Sequence, residues 1–449
     1  MRHTSSLEAG TGEKIQYLVH DFNDNTIRFI LHYPGRPDSA VLSLAVKAVI
    51  DDVEVLHSSF GTGPVHAFWK MNREYEEREY FQVIETEDPL MKKACEIAAL
   101  PILPEDHVQI RCHLVMKKEN NREIGRVQTG EDGESALVVN ISHLCVDGSD
   151  GKYLLAKIAE AYRMICESGT ADMLCIKDGS RAAEQVYEQL SKKEYLSLMH
   201  NPIPGVKSVF PYPNENPGFR EILYHVISSK LMSRAKEKAS TVGATVNDVL
   251  LTACYHAYAS LPGNRRDMAM SIMSMMDLRK HCVAGDSKGL CNITGSLPTV
   301  LPEGIGDSFG ETLADIAKQT REQKEDPLAG LEGMPLLHGI TKAFPMSVLK
   351  IAAKHVYGSM AVGLTNLGAL HAQEFALGNL KPDMAVFGGP LKKKPAMQVS
   401  AISLGGSCVL SVAGEMTEED ATLVSHMLIR MQEELMQFAG IKEEIDGRK

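Results

Sequence analysis

The sequence is short of several things, and each shortage narrows what the chain can be. It has nine cysteines, Cys95, Cys112, Cys145, Cys166, Cys175, Cys254, Cys282, Cys291 and Cys408, an odd count with no C-x-x-C pair. That pattern argues against a disulfide framework or a zinc ribbon, and no metal ligand set is expected. Most of them stand in apolar segments, as small reduced core residues do. No apolar run reaches the ~18–20 residues of a membrane span. The first residues, "MRHTSSLEAGTGEKIQ", contain no apolar h-region, so no signal peptide is expected and a reducing cytoplasm is the expected compartment. Basic side chains are also scarce relative to acidic ones, 47 against 58, for a formal net charge of -11. A chain without a basic footprint is not expected to bind nucleic acid. The same charge favours solubility.

What remains is an ordinary globular composition, 44% apolar and 23% charged. At 449 residues the chain exceeds the ~250–300 at which single cores stop growing. The expected division falls near 196–218, where "LSLMHNPIPGVKSVFPYPNENPG" holds five prolines and no periodic pattern. This gives an N-terminal lobe over 1–195, a linker over 196–218 and a C-terminal lobe over 219–449. In the first lobe "TIRFILHY" reads as a strand. "PDSAVLSLAVKAVIDDV" reads as a helix capped by Asp38 or Ser39. "HVQIRCHLVM" alternates, with Val108, Ile110, Cys112, Leu114 and Met116 on one face, and predicts a half-buried strand. A polar connection from Lys117 to Ser135 then leads to "ALVVNIS" in a hairpin with a long loop. The second lobe also opens strand then helix, with "FREILYHVIS" followed by "SKLMSRAKEKAS". In "ATVNDVLLTACYHAYASL" Thr245 and Asp248 hold capping-box positions. "MAMSIMSMMDLR" predicts a buried strand. "MQVSAISLGGSCVLSVAG" predicts a hairpin around Gly405-Gly406, and Thr417 caps a closing helix.

Chemistry concentrates in "NISHLCVDGSDGKYLL", Asn140 to Leu155. A buried strand ends on His143, Asp147 follows four residues later with Gly148 at once after it, and an amphipathic helix follows Gly151. A neutral imidazole has the side-chain pKa closest to working pH, so it suits proton abstraction from a hydroxyl or amine. Asp147 stands close enough in sequence to orient that imidazole across the turn, though the spacing does not require it. Gly148 removes a side chain where backbone or substrate must approach closely. The same letters also fit a hydrogen-bonded core histidine followed by a turn signal.

Here the sequence resembles the superfamily of chloramphenicol acetyltransferase, which includes condensation domains, plant BAHD acyltransferases, alcohol acetyltransferases and wax ester synthase-like enzymes. Its H-x-x-x-D-G signature stands as His143-Leu-Cys-Val-Asp147-Gly148, about a third of the way along. "ATVNDVLLTACYHAYA" is similar to the group's T-V-N-D-V helix. "MSMMDLRK" is similar to its V-D-L-R strand, and "VGLTNLGAL" to its S-N-x-G segment. The order is that of the family, over nearly the whole chain. Two departures stand out. Ser142 replaces the second His common in peptide-forming condensation domains, and "VFGGP" (386–390) stands where BAHD enzymes carry D-F-G-W-G.

The resemblance implies a two-domain α/β fold, mixed sheets with helices packed on them, and an active-site tunnel between the halves. It implies acyl transfer from a thioester donor, acyl-CoA or an acyl-carrier protein, to a hydroxyl or amine acceptor, with His143 as general base and no covalent acyl-enzyme. Asp147 would point away from the imidazole and pair with Arg279, so Asp147, Gly148 and Arg279 take structural roles. Thr365, Asn366, Ser400 and Ser403 are candidate substrate-binding or oxyanion donors, ordinary turn and strand chemistry being the competing reading. No cofactor is expected beyond the coenzyme A or phosphopantetheine thioester. The run Lys392, Lys393 and Lys394 reads either as a phosphate contact or as a solvated face. Cys145 reads as core filler, because an apolar neighbourhood raises a thiol's pKa. Two rival functions carry over from the same residues: a non-catalytic binding protein that keeps the fold, and a thioester hydrolase in which water replaces the acceptor.

Overall fold

The computed structural model describes residues 6–63, 66–118, 133–200, 205–206, 208–285, 287–356 and 362–442. In chain order the first half holds β1 (Ser6–Glu8), α1 (Thr11–Leu18), β2 (Thr26–Tyr33), α2 (Ser39–Asp51), β3 (Ser58–Thr62) and β4 (Ala67–Met71). It continues with α3 (Glu77–Tyr80), β5 (Phe81–Thr86), α4 (Leu90–Ala98), β6 (Ile110–Lys117), β7 (Ser135–Ser142), α5 (Gly148–Ser168) and α6 (Lys192–Ser197). The second half holds β8 (Phe219–Ile227), α7 (Ser229–Thr241), α8 (Val246–Ala259), β9 (Met270–Asp277), β10 (Thr294–Leu301), α9 (Phe309–Glu325), α10 (Met334–Ala343) and α11 (Met346–Val356). It ends with β11 (Val362–Leu370), β12 (Met384–Gly388), β13 (Met397–Leu404), β14 (Ser407–Met416) and α12 (Glu418–Ala439).

Each half is built on one large mixed sheet. The first has strand order β12-β2-β7-β6-β5, and the second β10-β9-β11-β13-β14-β8. Strands β6 and β7 pair antiparallel, as the hairpin reading of the polar connection predicts, and residues 119–132 of that connection lie outside the described residues. β6 is not half-buried. His113 and Val115, on the face opposite Cys112 and Leu114, are also buried. Helix α4 accounts for part of this, since it packs on β6, β7 and β2. Helices α2 and α5 pack against each other over the same sheet, and their apolar stripes join its core.

The second half follows its sequence signals closely. Thr245 caps α8 with Asp248 returning the bond, Thr417 caps α12, and the β13–β14 hairpin turns at Gly405-Gly406, both at positive φ. In β9 the side chains alternate. Met270 and Ile272 enter the helix-covered core, while Met273 and Met275 face the space between the halves.

The division at 196–218 does not separate two closed lobes. Strand β12, from the second half, pairs antiparallel with β2 and completes the first half's sheet, Met384 opposite His32 through Gly388 opposite Arg28. Without it β2 would present an open edge, and edges are covered where pairing is to be controlled. "MAVFG" is apolar and nearly fully buried, so it gains as an added strand what it lacks as a surface loop.

Candidate active site

β7 ends at Ser142, and four contacts fix the turn that follows. His143 donates its backbone N–H to the Asn25 carbonyl at 2.7 Å, and Cys145 donates its own to Ser142 at 3.0 Å. Asn25 sits at φ 49, a left-handed conformation that Asn tolerates better than most residues. The His143 Nδ1 lies 2.8 Å from the Val146 carbonyl, so the assigned tautomer carries its proton there. Asn292 Nδ2 donates to the His143 backbone carbonyl at 2.9 Å. With Nδ1 protonated, the 3.1 Å approach of Asn292 Nδ2 to Nδ1 joins two donors and adds no bond. Among the described residues Nε2 has no protein hydrogen-bond partner, and His143 lines a cavity of about 510 Å³. Burial pushes the imidazole down to about 4, the Lys392 charge adds to that, and the Val146 carbonyl opposes it. Neutral imidazole is therefore the form present near neutral pH.

Asp147 turns away from the ring. Its carboxylate accepts the Asp150 N–H at 3.1 Å, capping α5, and the Ile293 N–H at 3.1 Å. Arg279 Nη1 lies 2.9 Å from the same carboxylate, and Nη2 lies 2.8 Å from Asp150. Lys177 approaches Asp150 at 2.6 Å, and Asp150 also accepts the Cys291 N–H at 2.8 Å. Both carboxylates are buried. Burial raises Asp150, with the neighbouring Asp147 charge adding to it. Burial works against the Arg279 charge, but Asp147 and Asp150 outweigh it and hold the guanidinium above its ordinary range. Residues of the first half (Asp147, Asp150, Lys177) and the second (Arg279, Cys291, Ile293) thus share one charged cluster behind the His143 turn. Gly148 begins α5 at the cavity wall, where an added Cβ would lie 3.0 Å from the Leu367 side chain and 3.4 Å from Phe387.

The other candidates disperse. Thr365 lines the cavity, opposite Ser400 in the β11–β13 pairing. Asn366 is not among the lining residues. Its Oδ1 accepts the Gly368 N–H at 3.0 Å, at the irregularity in β11. Ser400 is buried, and its Oγ accepts the Gly389 N–H at 3.2 Å. Ser403 falls on the opposite face of β13, because strand side chains alternate, and pairs with Cys408 away from the cavity. The lysine run also splits. Lys392 lines the cavity, the Lys393 N–H donates to Phe22, and Lys394 reaches Asp420 and the Asn214 carbonyl. Cys145 is buried, its thiol pushed up to about 12 by burial, which makes it a poor nucleophile.

Four participants carried no motif. Asn292 in "CNITG" and Gln398 in "MQVSA" both line the cavity, and Asp150 and Lys177 complete the ion cluster. Asp150 sits three residues past Asp147, a helix N-terminal spacing that sequence can flag. The other three come from elements joined only by the fold. The rest of the lining is mainly apolar: Ile15 of α1, Val19 just beyond it, Met273 and Met275 of β9, Ile340 of α10 and Leu349 of α11 are part of it.

The sequence matches no family model and no curated protein. Solved structures do match. The first condensation domain of the calcium-dependent antibiotic synthetase aligns with a TM-score of 0.66 at 15% identity, covering 99% of this chain and 98% of that one. Trichothecene 15-O-acetyltransferase from Fusarium sporotrichioides aligns at 0.66 and 12%, over 96% and 95%. Polyketide synthase associated protein 5 from Mycobacterium tuberculosis aligns at 0.64 and 13%, over 97% and 100%. The chain therefore has the α/β fold of the chloramphenicol acetyltransferase-like condensation-domain superfamily. At these identities the likeness is one of fold.

Proposed function

We propose that the protein transfers an acyl group from a thioester to a hydroxyl or amine, with His143 as general base. One observation carries the reading. The imidazole spends its Nδ1 proton on Val146, and its Nε2 lone pair has a cavity lined from both halves in front of it. In the reaction, Nε2 takes the proton of the acceptor O–H or N–H as that atom bonds to the thioester carbonyl carbon. The tetrahedral intermediate collapses, the C–S bond breaks, and the imidazolium returns its proton to the leaving thiolate. Proton transfer of this kind contributes ~10²–10⁴-fold, and alignment of two bound substrates supplies the larger part. Thr365 and Gln398 are among the lining side chains that carry a hydrogen-bond donor for the oxyanion. The mainly apolar wall suits an acyl chain, and Lys392 in the lining suits an anionic donor such as coenzyme A or a phosphopantetheine thioester. Asp147 and Arg279 hold the turn and take no part in proton transfer.

The name of the Fusarium neighbour states acetyl transfer to oxygen, which favours the hydroxyl acceptor. The test is thiol release from acyl-CoA with and without added alcohols and amines. Acceptor-dependent release supports the transferase. Release at one rate with or without acceptor means a hydrolase, and no release with any thioester means a binding protein.

A further inference from the structure

Helices α10 and α11 are apolar on two faces. Their inner faces wall the cavity through Leu336, Ile340 and Leu349. Their outer side exposes Phe344 by 51%, Val348 by 49% and Ile351 by 66%. Val348 and Ile351, three residues apart, share one face at the start of α11, and Phe344 stands just before it in the extended residue that closes α10. A helix that is apolar all round belongs inside a core or against something apolar, and clustered large apolar side chains on a surface mark a contact site.

Charge identifies the partner. From residue 333 to 373 the chain has no Asp or Glu, while Lys342, Lys350 and Lys354 fall within it, in a protein of net charge -11. Lys342 and Lys350 flank these residues, with side chains 63% and 41% exposed. Their nearest carboxylates, Glu184 at 3.6 Å and Asp21 at 3.4 Å, form loose surface pairs of little strength. A second copy is disfavoured, since a two-fold contact would set these lysines against their own counterparts. We propose that the outer face of α10–α11 docks on an anionic lipid surface, the apolar side chains entering the headgroup boundary and the lysines meeting phosphates. Apolar side chains ringed by cations are the pattern of interfacial helices. Because the same helices wall the cavity, docking would place that cavity beside a source of lipophilic substrate. The proposal does not depend on the acyl-transfer reading, and its test measures no activity.

The full chain is sedimented with phosphatidylcholine vesicles, with and without phosphatidylserine. Wild type is expected to pellet with the anionic vesicles and to be released by salt. The variant F344S/V348S/I351S and, separately, K342E/K350E should each lower the partition coefficient by about tenfold. All five positions are at the surface, and an unchanged thermal melt verifies the fold. Wild type left in the supernatant, or both variants pelleting like wild type, would overturn the proposal. So would a dimer in sedimentation velocity that the serine variant abolishes, since this face would then be a self-association surface.

Discussion

At the scale of the residue, His143 is set by its neighbours more than by its own letter. The Val146 carbonyl fixes the tautomer, Asn25 holds the backbone, and Asn292 holds the carbonyl. Because burial and Lys392 depress the imidazole to about 4, the base form is already dominant at neutral pH. The kcat/KM for acyl transfer should rise as pH increases through about 4 and stay level toward neutrality. A profile that instead rises through the ordinary histidine range near ~6.5 would show that the ring is not desolvated. Asn292→Ala removes one hydrogen bond to the turn, so kcat should fall by roughly 2- to 10-fold with KM little changed. Steady-state kinetics on wild type and variant check this, and an equal rise in KM would place Asn292 on the substrate instead of on the turn.

At the scale of the element, the positions of glycine and of the caps decide how closely parts approach. Gly151 faces β2, and a Cβ there would lie 2.8 Å from Ile27 and 3.0 Å from Phe29. Gly151→Val should therefore push α5 off the sheet and destabilise by about 1–3 kcal/mol in urea unfolding. Thr245 caps α8 through Asp248, and Thr245→Ala should cost about 1 kcal/mol by the same measurement. An unchanged midpoint in either case would contradict the packing described. These local features were legible in the sequence: the Thr245 box, the Gly405-Gly406 hairpin and the β2 strand all carry their pattern in contiguous residues. β12 was not, because "MAVFG" is a short apolar run whose partner, β2, lies some 350 residues away. Nor was the burial of β6 on both faces, which depends on α4 covering it and leaves no trace in the alternation of the strand itself.

At the scale of the whole molecule, the halves are joined by a shared sheet, a shared cavity and a shared ion cluster. The sequence could name His143 and the turn beyond it, because one contiguous segment carries them. It could not place Asn366 and Ser403 off the cavity, or bring in Asn292 and Gln398, because strand facing and inter-lobe register decide those. Arg279→Ala would leave two buried carboxylates with one fewer cation, at a cost of about 3–5 kcal/mol. Denaturant unfolding of this variant should show that loss, and a loss under ~1 kcal/mol would mean the cluster is solvated. Acid should act on the same scale through histidines that folding takes partly out of water. His113 and His143 are both depressed to about 4 by burial, so between about 6.5 and 4 the unfolded chain binds more protons than the folded one. Their contribution is complete above the unfolded value and is lost as pH falls through that window, on the order of 3 kcal/mol each. Equilibrium unfolding at a series of pH values measures it. The most direct test of the central claim is thiol release from acyl-CoA in the presence of acceptor, comparing wild type with His143→Ala. The imidazole acting as base predicts a fall of ~10²–10⁴-fold with the fold intact. Equal rates from the two proteins would contradict it.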